Sequence, residues 1–513
     1  MSSFRDFLRS RDGRPTVTGC LGAVLTTLGS FGAAAVRVHD VALEDAHLSW
    51  LRFGHGLMLS SIAFWIGIAL LVLSWVRLGR CTLDGRVSLA QLRWTLVVWV
   101  VPLLFAVPLY SRDAYSYLAQ GALLRDGFDP YHVGPVVDPN PILDDVSGIW
   151  TTTTAPYGPA FIMLARLVTQ LCGDDVMTGT MALRLVMLPG LLLLAWAVPA
   201  LARRMGARPE VAMWFAVLNP LLVVHLVGGV HNELLMVGLM LTGIVLVLDR
   251  KHVAGVAVLA VAVAIKGTAG IALPFVVWMW LHHVRADRRS DAHQPSPVLD
   301  FARVAAIAVL IFTAVFAAFS LIAGVGLGWL AALSGSIKII NYISIPTATA
   351  QLIAWVCSPF VHLHLAPILA VTRSVGVVLL AVTLVWAWWR FRQDERRNLT
   401  GIVVGLLAVC LLSPASLPWY YTWPLAVSGG LVLSRRTMAI VAGLVTWVMA
   451  VFMPTGSIGL YSWWNVLLAA ALGVLAGWSL LRPDPLRLRP ALGLAPLPAE
   501  DGTVRTPATG PSA

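Results

Sequence analysis

The feature that most constrains this chain is a succession of apolar runs separated by short breaks in which arginines cluster. A helix of about 20 apolar residues crosses the roughly 30 Å hydrocarbon core of a bilayer. Inside lipid the backbone must pair with itself, so crossing segments are helices or closed barrels. Of the 513 residues, 58% are hydrophobic and only 12% charged, against about 25% charged in soluble domains. An all-α, polytopic integral membrane protein is expected.

The net charge is +11 and the isoelectric point about 9.9. The basic residues fall in small groups between apolar runs and form no single patch. That is the pattern of the positive-inside rule and not of a nucleic-acid-binding surface. Arg5, Arg9, Arg11 and Arg14 place the N-terminus in the cytoplasm, and "RLGRCTLDGR", "RRMGAR", "HHVRADRRSDAH", "WWRFRQDERR" and "LRPDPLRLR" mark later returns to that side. Counting runs between these marks predicts about 14 transmembrane helices with both ends inside. No cleavage site follows the basic start, so no removable leader is expected.

This reading divides the chain into a cytoplasmic basic tail (1–16), a polytopic domain (17–482) and a Pro-rich, disordered cytoplasmic tail (483–513). Two long extracytoplasmic loops interrupt the domain, at 111–175 and 324–367. Long ordered loops are usually functional. The first is acidic, and its apolar stretch "YGPAFIMLARLVTQL" is read as a helix lying on the membrane surface, because a crossing there would break the charge pattern.

The candidate chemistry gathers at predicted outer boundaries. Asp113, between Arg112 and Tyr115, sits where a carboxylate can meet both a lipid-borne donor and a polar acceptor, and can serve as general base. Its structural alternative is a helix cap paired with Arg112. Only three lysines occur, Lys251, Lys266 and Lys338, and the last two fall at predicted outer turns, where a cation can hold phosphate or simply snorkel. Arg373 belongs to the same class. His231, Asn232 and Glu233 follow a Gly-Gly turn and offer sugar contacts, or an ordinary cap with Asn232 and a first-turn Glu233. Trp419, Tyr420, Tyr421 and Trp423 suit sugar rings or an interfacial aromatic belt. Asp144 and Asp145 read best as a solvated turn. None of the five cysteines stands in a metal-ligating spacing; no metal site is assigned, and a divalent cation stays open.

Taken together, "SRDAYSYLAQGALLRDGFDPY", "TTTTAPYGP", "LNPLLVVHLVGGVHNELLMVGLM", "AIKGTAGIALPF" and "SPASLPWYYTWPL" resemble the actinobacterial polyprenol-phosphate-mannose-dependent α-(1→6)-mannosyltransferases, the MptB-like proteins of the GT-C superfamily. The resemblance runs from about Arg93 to Trp464. It implies a GT-C-type helical bundle with an outward-facing active site. The implied donor is decaprenyl-phosphate mannose and the implied acceptor the growing, lipid-linked α-(1→6)-mannan core of lipomannan and related lipoglycans. It implies inversion at the anomeric centre, with the family's loop carboxylate falling on Asp113. Lys266, Arg112 and Lys338 are candidates for the donor phosphate. Tyr115, Tyr117, Trp419 and Tyr420 are candidates to frame the sugars.

Two alternatives stand beside this reading. One is a flippase or transporter of polyprenyl-linked glycans, which would line a path through the bilayer midplane with charge; the ionisable residues here gather at the boundary instead. The other is the same fold using a different polyprenyl-phosphate sugar.

Overall fold

The computed structural model describes residues 2–288, 296–333, 338–361, 363–457 and 459–486. Residues 289–293 of the basic loop, 334–337 and 362 of the second predicted loop, and 487–513 of the predicted tail lie outside the described residues. Among those described the chain is helical, with no strand.

Local chemistry explains where the helices begin. Ser88 and Gln91 form a capping box at the head of Leu89–Leu103. The Asp175 side chain accepts from Thr178 N at 2.6 Å at the head of Val176–Arg204. Proline occupies the first turn of Pro159–Cys172 and Pro297–Ala323, where its missing N–H costs nothing.

Small residues set the closest packing. Arg14–Ala33 lies along Gly54–Leu83 so tightly that a Cβ on Gly22 would stand 2.8 Å from Gly67 O. That is the close backbone approach small residues allow between membrane helices. Trp75 and Trp214 each donate their indole N–H to the other's carbonyl, at 3.0 and 2.8 Å. Their rings stack at 5.3 Å, locking the long helix to the middle of the bundle.

Seven helices among the described residues are long and apolar enough to cross a membrane. Pro209–Val217 and Leu221–Gly228, bent by 53° at their junction, make an eighth if counted as one span. That is fewer than the predicted 14 or so. The predicted span at Trp94–Tyr110 ends as a helix at Leu103, with Pro102 in its last turn. The predicted span at Trp419–Leu433 is a 3-10 turn, Pro418–Tyr421, followed by the seven-residue helix Thr422–Ser428. Its side chains are mostly buried. Pieces enclosed by protein need not reach across lipid alone. The 14-residue helix Pro159–Cys172 is too short to span and packs along Asp113–Arg125.

Candidate active site

The site begins where the chain stops being helical. After Leu103 the backbone turns through Pro108, and Tyr110 takes a left-handed φ of 61°. Leu109 N donates to Gly228 O at 3.2 Å and Tyr110 N to Pro454 O at 2.9 Å, pinning this approach to two distant segments. Beneath it lies Arg184, a lone buried arginine in the Val176–Arg204 helix. Its guanidinium donates to Leu104 O at 2.6 Å, Ala106 O at 2.7 Å, Val227 O at 3.2 Å and Gly228 O at 3.1 Å. One side chain thus ties two irregular turns together and satisfies the carbonyls of Leu104 and Ala106, which lipid would leave unpaired.

Asp113 is the first residue of the Asp113–Arg125 helix. It does not pair with Arg112. Arg112 turns the other way, donating to Asp145 O at 2.8 Å, Asp145 Oδ1 at 3.0 Å and Val36 O at 3.0 Å. The capping alternative for Asp113 and the solvated-turn reading of Asp145 therefore both give way. Asp145 is 2% exposed and also accepts from Val38 N at 2.7 Å. It is a buried anchor for Arg112, which leaves Arg112 poorly placed to take a phosphate. Tyr115 is on the Arg112 side as well, its hydroxyl donating to Ala35 O at 2.6 Å and its ring lying under the guanidinium at 5.1 Å.

The opposite face of the helix carries Asp113, Ser116, Tyr117 and Gln120, all buried. Asp113 Oδ2 lies 3.6 Å from His231 Nδ1, Glu233 Oε2 lies 3.9 Å from the same nitrogen, and the Tyr117 hydroxyl is 3.4 Å from it. Glu233 forms an ion pair with Lys266. The turn that delivers His231 contains Val230 at φ 59°. A β-branched residue there is strained, a feature that clusters at functional sites. Asn232 precedes the Glu233–Leu248 helix without making a cap hydrogen bond, so the ordinary-cap alternative does not hold for it.

Aromatic rings enclose the ion pair. Lys266 Nζ stands 4.7 Å from the Tyr420 ring centroid and 5.5 Å from those of Tyr157 and Trp423. Trp419 stacks on His231 at 3.8 Å. The "TAPYGP" loop that carries Tyr157 is fixed by Gly158 N donating to Ile265 O at 3.2 Å, next to Lys266. Lys338 stands apart from the cage, holding the hydroxyls of Thr152 and Thr153 at 3.2 and 3.0 Å. Arg373 binds Ile339 O at 2.5 Å and Thr347 Oγ1 at 3.3 Å.

Burial sets the electrostatics. It pushes the Asp113 carboxyl up to about 6; Glu233 adds to the rise, and Lys266 together with hydrogen bonds from Ser111 and Trp150 opposes it. Burial, then His225 and Lys266, holds His231 well below its ordinary value, so the imidazole is neutral. Burial also raises Tyr117, Tyr157 and Tyr420 well above the usual phenol. At neutral pH the site therefore offers an ionised Asp113 among neutral donors. Both amide atoms of Asn232, His231 Nε2, Ser116 Oγ, Gln120 Oε1 and the Trp419 indole N–H are buried with no partner among the described residues. Most buried polar groups in proteins are paired, and this cluster of unpaired ones suits a ligand rich in hydroxyls. Among the described residues no three His, Cys, Asp or Glu side chains are grouped to hold a metal ion.

Asp113, Tyr117, His231, Asn232, Glu233, Lys266, Trp419 and Tyr420 thus come together, while Arg112, Tyr115 and Lys338 do not join them. Sequence reasoning missed Arg184, although a single charge inside an apolar run is a signal in itself. It also left out Tyr157, Ser116 and Gln120, which only the helix register and the loop's fold bring to the site.

Comparison with known proteins defines the class first: this is a membrane glycosyltransferase that moves mannose. The family model described as alpha-(1->6)-mannopyranosyltransferase, N-terminal domain, matches residues 16–282, and the MptB C-terminal domain matches residues 346–482. The chain belongs to the α-(1→6)-mannopyranosyltransferase family. It is 53% identical to alpha-(1->6)-mannopyranosyltransferase A of Mycobacterium tuberculosis over 94% of this chain and 93% of that protein. It is 38% identical to the Corynebacterium glutamicum protein of the same name, over 88% of this chain and 94% of the relative. Identity to alpha-(1->6)-mannopyranosyltransferase B of Corynebacterium glutamicum is 30%, over 91% and 82%. No solved structure matches.

Proposed function

We propose that this mannosyltransferase takes mannose from a polyprenyl-phosphate donor, decaprenyl-phosphate mannose, and adds it in α-(1→6) linkage to the growing lipid-linked mannan of lipomannan and related lipoglycans. The site faces outward from the plasma membrane, both termini are cytoplasmic, and the bundle is of GT-C type, with residues 111–175 as the catalytic loop.

Asp113 is the general base. Its carboxylate takes the proton from the acceptor 6-hydroxyl as that oxygen attacks the donor C1. The C1–O bond to phosphate breaks, and polyprenyl phosphate leaves with the bonding electrons. A β-linked donor gives an α-linked product in one displacement. Lys266 stands by to offset charge growing on the leaving phosphate, which is where fixed electrostatic stabilisation is most effective. Tyr157, Tyr420 and Trp423 hold that ammonium in place. Asn232, Ser116, Gln120 and the Trp419 indole offer hydrogen bonds to sugar hydroxyls.

The observation that carries this reading is the Asp113 carboxylate, pushed up to about 6 yet ionised at neutral pH, standing beside His231 among unpaired polar groups. The test uses membranes containing this protein, a short α-(1→6)-mannoside and radiolabelled mannose supplied either as polyprenyl-phosphate mannose or as a nucleotide sugar. Transfer from the lipid donor alone, into a product cleaved by α-(1→6)-specific mannosidase, is the expected result. Transfer from the nucleotide sugar in washed membranes lacking polyprenyl phosphate would overturn the donor assignment.

A further inference from the structure

Away from the Asp113 cluster, the Gly54–Leu83, Arg435–Val451 and Trp463–Leu481 helices enclose a groove of about 1700 Å³ whose two ends differ in chemistry. One end is walled mainly by apolar side chains, Trp65, Ile68, Met449, Met453 and Leu468, with the amide of Asn465 beside them. Met449 O accepts from the Tyr110 hydroxyl at 3.1 Å, so this apolar end abuts the segment that leads into Asp113. At the other end Arg11, Arg14, Arg77, Arg80, Arg86 and Arg435 outnumber Asp12, Asp84 and Asp484. Asp12 pairs with Arg86, and Asp84 pairs with Arg86 at 3.2 Å and with Arg435 at 2.9 Å. Arg80 donates to Ser479 O at 2.7 Å. Arg11, Arg14 and Arg77 are exposed and make no ion pair among the described residues.

Trp65 and Arg80 lie on one continuous helix, and the stretch between them rises about 22 Å at ~1.5 Å per residue. One leaflet with its headgroups is about 20–22 Å deep. An apolar trough of leaflet depth, ending in unpaired arginines, matches a molecule with acyl chains and an anionic head. Arginine is well suited to phosphate oxygens. A zwitterionic lipid would bring its own cation against these arginines.

We propose that this groove is a specific site for an anionic phospholipid of the leaflet opposite the Asp113 cluster. Its phosphate rests on Arg14 and Arg77, and its chains run along Ile68, Val72 and Leu472. The anionic-lipid site rests on the chain being a membrane protein, and only the exclusion of the donor lipid rests on the mannosyl-transfer reading. The donor lipid is a poor fit, because on the reading above its phosphate must reach Lys266, beyond the apolar end.

The test uses the delipidated full-length protein in detergent, offered phosphatidylglycerol, phosphatidylcholine or a polyprenyl monophosphate, with bound lipid read by native mass spectrometry. One phosphatidylglycerol should be retained, with a preference over phosphatidylcholine of roughly tenfold, the worth of about one charge-assisted contact. An R14Q/R77Q double variant should lose that preference. Ala69 lines the groove and is exposed, so Ala69→Trp should lower retention of both phospholipids without touching a charge. Equal binding of the two phospholipids by the wild type, or retained preference in the double variant, would overturn the proposal. Displacement of phosphatidylglycerol by polyprenyl monophosphate would overturn it too, making the groove a donor-lipid channel. Should the double variant fail to fold, undiminished retention by Ala69→Trp is sufficient to reject the site. Because no sugar is transferred in this assay, its failure and the failure of the mannosyl-transfer reading are told apart.

Discussion

Asp113 Oδ2 faces His231 Nδ1 across 3.6 Å, a separation just beyond hydrogen-bond length. The imidazole is held neutral by burial, so it cannot clamp the carboxylate as an ion pair would. Asp113 is left ionised at neutral pH and free to accept a proton from something else.

The pH dependence of transfer follows. Burial first, and Glu233 second, push the Asp113 carboxyl up to about 6. A base must be ionised to act, so kcat/KM should rise about tenfold per pH unit below ~6 and level off above it. Initial rates from pH 4.5 to 8 at subsaturating substrate check this. A profile flat through pH 6 would assign the base to a group with an ordinary carboxylate pKa.

The same shift bears on stability with the opposite sense. An unfolded aspartate titrates near ~3.9, below the folded value of about 6. The folded protein therefore holds this proton more tightly. The contribution of Asp113 favours folding below about pH 4 and is lost as pH rises through about 6. Asp113→Asn should melt higher than wild type at pH 7.5, with the gap closing toward pH 4. Thermal unfolding in detergent at the two pH values reads it directly.

Lys266 and Glu233 should separate into different phenotypes. Lys266→Met removes the cation expected to meet the leaving phosphate and should cost roughly 10²–10³ in kcat/KM for the lipid donor. Glu233→Gln leaves the caged ammonium without its counter-ion and should destabilise the fold by about 3 kcal/mol. Since Lys266 is the cation proposed to meet the leaving phosphate, EDTA should leave the wild-type rate unchanged. Donor-dependent kinetics paired with melting curves distinguish these effects.

Arg184 should act entirely through structure. Arg184→Leu strands the carbonyls of Leu104 and Ala106, each at about 1–3 kcal/mol when buried unpaired, and removes the guanidinium from those of Val227 and Gly228, which keep Val230 N and Leu109 N as donors. Loss of a monodisperse detergent peak at 37 °C is expected, and Arg184→Lys should recover only part of it because one ammonium cannot cover four acceptors. Full stability in Arg184→Leu would mean that the two turns hold by themselves.

The helical membrane character was legible in the apolar runs, and the site's members in the boundary motifs around Asp113, His231, Lys266 and Trp419. What the sequence concealed was pairing. Arg112 and Asp113 are adjacent in the chain, yet their side chains serve different faces of the bundle, and Asp145 proved to be the arginine's anchor. The count of about 14 exceeds the seven or eight helices that are long and apolar enough to cross alone among the described residues, because it includes short apolar pieces such as Thr422–Ser428 that are buried in protein. Hydropathy registers burial in either medium and does not say which. The register of Ser116 and Gln120 with Asp113 follows from helix geometry once the helix is known to start at Asp113, a start that Pro102 and Pro108 obscured.

The central claim is that Asp113 removes the acceptor's proton. The most direct measurement compares wild type with Asp113→Asn, at matched expression and confirmed folding, for transfer from polyprenyl-phosphate mannose to a short α-(1→6)-mannoside. The account predicts a loss of about 10²–10⁴-fold in a protein at least as stable as wild type. Transfer at an undiminished rate would contradict it and pass the role of base to another carboxylate, with Glu233 the first to be tried.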